Sequence, residues 1–407
     1  MFKVSRRAWH AVAIGGTIVV LFILAVLAER FGTYAYPFTL ASDIARIGGK
    51  ISHDEQRNII DVELIGVRVS SRIYSRLMSY PGIRGLKFTR CDMTEASSIK
   101  TSGIRTDQLL QYEIINCTNC NLDWSWITTA SSLTTLRVTK SLLNPSFHLN
   151  IDGSTSLRDI NLTGTLANDI TIRKLAKPLL MRLSLQNTSA TDEGIRFLAS
   201  HAKGLKELNL SDTQISSLDC LQAAQNLTQV GIDGLSLSAK DADSLLRLDR
   251  LVGLSMRRCK LQSGFSSKIA KHKTIGLLLC SDSEFDQHSI AELSNFRNLA
   301  FLDIRNTSFS NSSIEKLFEA NHLSLRSISI SGTEVTHLSE KSLMMMVKLS
   351  QMEACRLQLD EVTLARIRRI LPRFQLSYAS CSQIEIENDG KESQRRFAAD
   401  ILYFGNK

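Results

Sequence analysis

Apolar residues recur along most of this chain with a period of about 24 residues. Around Leu205, apolar residues stand at positions 0, +3, +5 and +10 (Leu205, Leu208, Leu210 and Ile215), and a small residue, Thr213, stands at +8. A fixed period of roughly 20–29 residues is typical of a solenoid, in which each unit stacks on its neighbours to bury its apolar stripe. The candidate starts are Ile59, Ile83, Tyr112, Leu133, Leu157, Leu180, Leu205, Leu227, Leu251, Ile275, Leu299, Leu325, Leu349 and Leu371.

Each unit is predicted to contain one strand and, in many units, one helix. Positions +2 to +6 form the strand, so that +3 and +5 face the core while +2, +4 and +6 form an open face. After +10 the apolar spacing becomes helical: Thr191–Ser200 begins with capping residues and spaces Ile195 and Leu198 three apart, and Ser312–Ala320 and Thr363–Leu371 behave alike. The sequence therefore predicts an α/β horseshoe with parallel strands on its concave side and helices on its convex side.

Two segments give this pattern a family resemblance. Thr191–Ile195 and Leu205–Ile215 resemble the ribonuclease-inhibitor-like and cysteine-containing leucine-rich repeats, in which a small or Cys residue at the bend is followed by a TD-x-G-Leu helix start. The resemblance covers about residues 59–381 and is strongest from 157 to 340. It implies the leucine-rich repeat solenoid; because members of this family bind many unrelated proteins, it implies no particular partner.

The repeat rhythm is irregular in the first units. The spacing is 29 residues from Ile83 to Tyr112 and 21 from Tyr112 to Leu133. The sequence therefore does not fix the register before residue 157.

The N-terminal segment Ala8–Ala28 is predicted to be a transmembrane helix. It carries no charge, and a helix of this length spans about 31 Å, close to the roughly 30 Å hydrocarbon core of a bilayer. Lys3, Arg6 and Arg7 precede it, so the positive-inside rule places the N-terminus in the cytoplasm and the repeats outside it. The alternative is a signal peptide cleaved after Ala28, although the apolar run is longer than is usual for one.

The predicted organisation has five parts. They are a cytoplasmic N-terminus (1–7), a signal-anchor helix (8–28), a stalk or N-terminal cap (29–58), the repeat domain (59–384) and a C-terminal cap or tail (385–407). Phe397, Ile401, Leu402 and Phe404 of the tail could cover the last unit.

Charge does not point to a nucleic-acid partner. The net charge is +9, but the basic residues are dispersed and only 6% of residues are aromatic. No basic run is interleaved with aromatic residues, so no nucleic-acid binding is expected.

The cysteines are predicted to be buried and unpaired. In the frame above, the predicted positions are +8 for Cys91, Cys120 and Cys259, +5 for Cys117 and Cys280, and +10 for Cys381. Such positions suit a small apolar side chain. Cys117 and Cys120 have redox or zinc-site spacing, but no second Cys/His pair accompanies them. Cys355, at +6, is expected to face the open side and to be the most reactive thiol.

Seven N-x-Ser/Thr sequons occur, including Asn161, Asn209 and Asn306. Several lie in or beside predicted strands, where a glycan would obstruct the open face. This favours a bacterial envelope over a eukaryotic secretory compartment.

No motif of catalysis or cofactor binding is present. The sequence has no Gly-rich phosphate loop, no G-x-S-x-G elbow and no H-E-x-x-H. The eight histidines are scattered, and His201, His272 and His322 are expected at solvated positions next to helices. We therefore predict no catalytic residue, no cofactor and no metal site.

One part of the open face differs from the rest. The central units offer polar side chains there, such as Asn161, Gln186 and Asn209. The units that begin at Ile275 and Leu299 instead offer apolar side chains bordered by charge; this face cluster comprises Leu277, Leu279, Phe301, Arg257, Asp303 and Arg305. An apolar patch rimmed by charge is typical of a protein-binding hot spot. The alternative is that residues 277–279 are simply a very apolar strand.

The sequence thus predicts a membrane-anchored, non-enzymatic protein whose concave face binds a protein or peptide of unknown identity. Two alternatives stay open: a structural envelope protein that self-associates, and an exported enzyme or glycan-binding module.

Overall fold

The computed structural model describes residues 39–100, 106–141 and 156–377. The chain divides into two compact units, one up to Leu166 and one from Ala167 onwards. The predicted membrane helix 8–28 and the tail 385–407 lie outside the described residues. Among the residues that are described, no helix is both long enough and apolar enough to cross a bilayer.

The first unit contains a parallel sheet with one antiparallel strand at its edge. Its strands are β1 Lys50–His53, β2 Ile59–Ile65, β3 Gly85–Thr89, β4 Gln111–Ile115, β5 Thr135–Thr139 and β6 Asp159–Asn161. Its helical residues are 39–46 (α1) and Ser71–Ser79 (α2), with short 3-10 turns at Ala96–Ser98 and Ser125–Thr129. The strands β2 to β6 pair in parallel, and β1 pairs antiparallel with β2, which covers an edge that would otherwise be open.

The second unit repeats one strand and one helix or turn in each coil. Its strands are β7 Arg182–Ser184, β8 Glu207–Asn209, β9 Gln229–Gly231, β10 Ser236–Leu237, β11 Gly253–Ser255, β12 Lys260–Leu261, β13 Leu277–Leu279, β14 Phe301–Asp303, β15 Ser327–Ser329, β16 Gln351–Glu353 and β17 Gln375–Ser377. Its helices are α3 Asp169–Leu175, α4 Asp192–His201, α5 Ala239–Leu246, α6 Phe265–Ile269, α7 Gln287–Leu293, α8 Asn311–Asn321, α9 Glu340–Met344 and α10 Glu361–Ile370, with a 3-10 turn at Leu218–Leu221.

In this unit the main strands pair in parallel with their neighbours, and β10 and β12 form a small separate pair. The predicted alternation of strands and helices in a parallel sheet is confirmed. We name each coil below by its main strand.

The three predicted helices begin within two residues of their predicted starts, at Asp192, Asn311 and Glu361. In α4, the hydroxyl of Thr191 accepts a hydrogen bond from the backbone N–H of Glu193, and Asp192 and Glu193 complement the positive end of the helix dipole. Ile195 and Leu198 are buried against the strand layer. This apolar stripe holds each helix on its own coil.

The strand pairing corrects the predicted register at two places. Gln111 lies opposite Gly85 and Thr135, so this coil begins at Leu109 and not at Tyr112. The flanking spacings become 26 and 24 residues, and the buried Tyr112 is the +3 core residue. At the other end, Gln375 lies opposite Gln351, so the last coil begins at position 373 and not at Leu371.

A left-handed residue ends each strand in turn. In twelve consecutive coils the residue at +7 has a positive φ, from Gly66 in the β2 coil to Gly332 in the β15 coil. The next residue, at +8, is buried in ten of these coils and half-buried in the other two. This repeated bend gives each coil the same exit from the sheet.

In the coils that have Cys117, Ser141 or Ser283 at +8, this buried side chain satisfies a backbone N–H of the preceding coil. The sulfur of Cys117 accepts from the N–H of Cys91 at 3.3 Å, and the Ser141 hydroxyl accepts from the N–H of Cys117 at 3.1 Å. Ser283 makes the same contact with Cys259 at 3.1 Å. Cys117 is therefore a +8 residue, a correction of the predicted +5 that follows from the register change.

Candidate functional site

The structure brings the predicted apolar residues of the face cluster together. Leu277 lies directly opposite Phe301 in the parallel pair β13–β14, and Leu279 lies opposite Asp303. The 24-residue spacing of these coils places like positions side by side, about 4.8 Å apart across the sheet. Phe301 and Leu279 are half-buried.

Leu277 is less accessible than the sequence suggested. It was predicted to be a surface residue of the open face, yet only 9% of it is exposed. The neighbouring coil has Gly253 at the same position, and a Cβ there would lie 3.3 Å from Leu277 Cδ2. Leu277 therefore leans over the glycine, and Phe301 borders it on the other side. The accessible apolar surface consists mainly of Phe301 and Leu279.

Asp303 is a buried carboxylate and not the exposed border charge that was predicted. It is 2% exposed. Arg305 holds it with two hydrogen bonds of 2.9 Å, from Nε to Oδ1 and from Nη2 to Oδ2. The hydrogen bonds to Asp303 raise the pKa of the Arg305 guanidinium above its usual value. A planar fork of this kind is the strongest arrangement of the two groups, and it fixes both side chains on the face.

Arg257 approaches the same carboxylate from two coils away. Its Nη2 lies 3.9 Å from Asp303 Oδ2, and its backbone N–H donates to Asp233 Oδ1 at 2.9 Å. The hydroxyl of Ser255 donates to the same oxygen of Asp233 at 2.6 Å. The charged border of the cluster is therefore an ordered network that spans the β9, β11 and β14 coils.

Sequence reasoning missed the small residues on the other side of the cluster. Ser327, Ser329 and Ser331 occupy the three open-face positions of the β15 coil, and none is more than 5% exposed. Ser329 donates to Glu353 Oε2 at 2.9 Å. A run of serines at +2, +4 and +6 was visible in the sequence, but its burial was not.

Polar open-face residues outside the cluster are partly used by the fold. Asn209 Oδ1 accepts from the N–H of Ser211 at 3.0 Å, and Asn161 Oδ1 accepts from the N–H of Thr163 at 2.9 Å. Each asparagine thus accepts a hydrogen bond from a backbone N–H just after its own strand. Their amides are thus partly engaged before a ligand arrives.

The thiols of Cys220 and Cys259 are poor nucleophiles. Burial raises the pKa of Cys220 and of Cys259 to about 12, so the reactive thiolate is disfavoured. Cys117 and Cys120 are both free and buried, so they form no disulfide with each other. In the described residues, no group of His, Cys, Asp or Glu could hold a metal ion.

Cys355 does not follow the prediction for it. It was expected to be a free and reactive thiol, but it is disulfide-bonded. The backbone N–H of Gly332 donates to its sulfur at 3.2 Å. A repeat pattern cannot reveal such a bond, because it shows where a cysteine points and not which cysteine meets it.

His272 also departs from the prediction. It is 5% exposed, and its Nε2 lies 3.2 Å from the carbonyl oxygen of Leu245. Burial lowers its pKa below the usual value. It is a core residue at the end of the β11 coil, after α6, and it is not at the solvated position that was predicted.

Several solved structures resemble this chain. An internalin from Listeria monocytogenes matches 80% of it, over 91% of its own length, with 14% identity and a TM-score of 0.44. Internalin C2 from the same species matches 47%, over 79% of its own length, with 20% identity and a TM-score of 0.37. A leucine-rich repeat protein from Leptospira interrogans matches 82%, over 94% of its own length, with 15% identity and a TM-score of 0.47.

The comparisons with protein-family models and with curated proteins gave no match. The leucine-rich repeat fold therefore rests on the repeated strand register and bend described above.

Proposed function

We propose that this protein is a membrane-anchored, non-enzymatic leucine-rich repeat protein whose open face binds a protein or peptide partner outside the cytoplasm. The observation that carries the proposal is the pairing of Leu277 with Phe301 beside the Asp303–Arg305 fork. Aromatic and arginine side chains held rigid in a partly desolvated patch are the usual anchors of protein interfaces.

Rigidity favours binding at this place. Arg305 and Arg257 are already fixed by Asp303, so a partner does not have to order them. Phe301 lies between Leu277 and the small Ser327 and is half-buried. Pre-organised groups reduce the entropy lost on association.

The membrane anchor and the location are supported by the sequence of residues 8–28 and by one covalent feature. The segment is uncharged and long enough to span a bilayer. A disulfide at Cys355 suits an oxidising compartment such as the bacterial envelope, because cytosolic thiols are kept reduced. The remaining described cysteines are buried, so an oxidising compartment would leave them free.

The binding proposal is tested by comparing three variants of the full-length chain. Phe301→Ala should abolish capture of the specific partner, with a loss of about 2 kcal/mol or more in binding. Leu323→Ala removes an apolar side chain that is 60% exposed in the turn before β15, away from the open face, and should leave capture unchanged. Quantitative mass spectrometry of captured proteins provides the readout.

Leu302→Ala is the control for loss of a core side chain in the same strand. Leu302 is 1% exposed, so its loss should cost about 2–5 kcal/mol of folding free energy, whereas Phe301→Ala should cost far less. If all three chains capture the same proteins, the open face around Phe301 is not the binding site. If the solubilised chain instead gains mass with concentration and Phe301→Ala prevents this, the partner is a second copy.

The anchor is tested separately. Alkaline carbonate extraction should leave the full chain in the membrane fraction, since the segment 8–28 has no charge to expel it. A mature N-terminus at Glu29, found by mass spectrometry, would show instead a cleaved signal peptide and a released protein.

A further inference from the structure

Helix α10, the last helix in the described residues, has an unusual outward side. A surface helix normally turns its apolar stripe to the core and polar residues to solvent. Helix α8 follows this rule, since its exposed residues are Ser312, Lys316 and Glu319. Helix α10 does not, because Val362 is 65% exposed and Ile370 is 52% exposed.

The two apolar residues share one side of α10 with two arginines. At 3.6 residues per turn, positions 362, 366, 369 and 370 fall on the same side of a helix. Leu364 and Ile367 are buried and hold the other side against the solenoid. We name the exposed side the outer stripe; it comprises Val362, Arg366, Arg369 and Ile370.

The turn of the preceding coil extends this surface. Gln351 lies opposite Gln375, so position 347 lies beside position 371, next to the end of the outer stripe. Val347 is 57% exposed, and the exposed Lys348 follows it. Apolar and basic side chains are therefore interleaved across two coils.

The surface is positively charged. Arg366 Nη1 lies 3.2 Å from Glu340 Oε2, yet 52% of the arginine side chain stays exposed. Arg368 and Arg373 are exposed beside the stripe, whereas Glu361 lies in the first turn and outside it. Basic residues in the last turn also complement the helix dipole. That role does not account for exposed valine and isoleucine between them.

We propose that the outer stripe of α10 lies on an anionic lipid bilayer. Its aliphatic side chains enter the headgroup boundary, and its guanidinium groups bind the lipid phosphates. The inference rests on the proposed function in one respect, because the proposed anchor holds the chain at a bilayer.

The chemistry of the stripe fits a bilayer better than an acidic protein. A helix that lies in the plane of an anionic interface combines aliphatic residues with Lys or Arg. An arginine beside them buries its methylenes and keeps its charged end among the headgroups, where the fork binds phosphate. Protein-binding hot spots are instead rich in aromatic residues, and the outer stripe has none.

The contact is small, and the proposed anchor compensates for this. A few aliphatic side chains and arginines bind a bilayer weakly from solution. A tethered chain meets the same surface at a high effective concentration, so a weak contact is sufficient.

The consequence is a fixed orientation of the open face. Leu364 and Ile367 point into the solenoid, so the outer stripe faces away from the strands of its own coil. A bilayer against α10 therefore leaves the open face of these coils turned away from the lipid. In this orientation the surface around Phe301 is presented to partners outside the membrane.

Fluorescence quenching in vesicles tests the proposal on the full-length chain. A dansyl-bearing amino acid is placed at position 362 and, as the matched control, at position 170. Ile170 is also the second residue of a helix, α3, and is 55% exposed. The chain is reconstituted in phosphatidylcholine vesicles with or without phosphatidylglycerol, and a nitroxide-labelled lipid is the quencher. Quenching should occur at position 362 in the phosphatidylglycerol vesicles and should be absent at position 170.

Charge variants identify what holds the helix there. Arg366→Gln with Arg369→Gln should lower the ratio of lipid-bound to unbound α10 about ten-fold or more. Arg196→Gln with Lys203→Gln removes the same charge from exposed positions in and after α4 and should leave the quenching unchanged. Quenching at position 362 that depends on neither phosphatidylglycerol nor the two arginines would overturn the proposal.

Two further results would also overturn it. One is equal quenching at positions 362 and 170, which would show that the stripe has no special contact with lipid. The other is absence of quenching at position 362 together with a benzophenone crosslink from that position to a protein or to a second copy of this chain.

Failure of the anchor and failure of this contact are distinguishable. Carbonate extraction reports the anchor whatever the dansyl signal is. A chain that stays in the vesicles without quenching at position 362 refutes the α10 contact alone. If the chain is not retained, it is titrated with preformed phosphatidylglycerol vesicles; quenching at position 362 that the two glutamines remove then supports the contact without the anchor, and no quenching at any lipid concentration refutes it.

Discussion

Arg258 forms an ion pair with Asp212 across an entire intervening coil. Its Nη2 lies 3.0 Å from Asp212 Oδ2 and its Nη1 lies 3.3 Å from Oδ1, although the two residues are 46 positions apart. All three coils have a left-handed residue at this point, and the middle one is Gly234. The absence of a side chain there lets the two charged side chains meet. Gly234 is therefore needed here because it has no side chain, in addition to its ability to adopt a positive φ.

Gly234→Ala should destabilise the protein through this contact. A Cβ at residue 234 would lie 2.3 Å from Asp212 Oδ1, in a backbone with φ of +77°. We expect a loss of about 1–3 kcal/mol in the free energy of unfolding, measured by chemical denaturation. Gly66→Ala is the matched control, since Gly66 has φ of +67° and nothing within 4 Å of its Cβ position. Adding Asp212→Ala to Gly234→Ala should recover part of the loss; an equal loss in both glycine variants would show that backbone strain alone matters.

Substitution of Ser283 tests whether the buried +8 side chains stabilise the fold through their hydrogen bonds to the preceding coil. Its hydroxyl accepts from the N–H of Cys259 at 3.1 Å and donates to the carbonyl of Met256 at 2.7 Å. Ser283→Ala should lower the free energy of unfolding by about 1–3 kcal/mol, because a buried N–H and carbonyl are left without a partner. Ser283→Cys should retain most of the stability, as Cys117 makes the equivalent contact with Cys91. If the wild type and the Ala variant have the same unfolding midpoint, the hydrogen bonds of the +8 side chains do not contribute to stability.

Arg305→Met should be strongly destabilising because it isolates the carboxylate of Asp303. Breaking a buried ion pair by removing one partner typically costs about 3–5 kcal/mol. The double variant Arg305→Met with Asp303→Asn should be more stable than Arg305→Met, since no buried charge remains. Arg369→Met, on the exposed side of α10, should change the unfolding midpoint little. A double variant no more stable than Arg305→Met would argue that the methylenes of Arg305, and not its charge, support the face.

His272 should make stability depend on pH. Burial lowers its pKa in the folded protein, whereas an unfolded histidine titrates near about 6.5. Below that pH the unfolded state binds the proton first, so stability is retained above about 6.5 and falls as the pH decreases towards the folded pKa. His272→Gln should flatten the fall in melting temperature over this range. The control is His201→Gln, at an exposed position, whose melting temperature should change with pH as that of the wild type does. If the melting temperature of the His272 variant also falls as in the wild type, other groups cause the fall.

Much of the fold was determined by the sequence alone. The period of the apolar residues predicted the parallel strands, and the capping run at Thr191 predicted the start of α4 within one residue. The neighbourhood of Leu277 and Phe301 was also predictable, because a solenoid places like positions of successive units side by side.

The register near Tyr112 was decided only by the tertiary structure. Tyr112 fits position 0 of the sequence frame, but Gln111 pairs with Gly85 and Thr135, so Tyr112 is a +3 residue. A long connection allows two frames with similar apolar spacing, and only the pairing of strands selects one. The corrected frame explains why Cys117 belongs to the +8 ladder.

The same holds for the residues of the open face. The sequence indicated that Asp303, Ser331 and Cys355 point towards this face, and it could not indicate that the first two are buried or that the third is disulfide-bonded. The side of the sheet to which a side chain points follows from the alternation along its own strand, which is a local property of the sequence. Burial and bonding depend on how far side chains from other coils reach, and those contacts join residues that are distant in sequence.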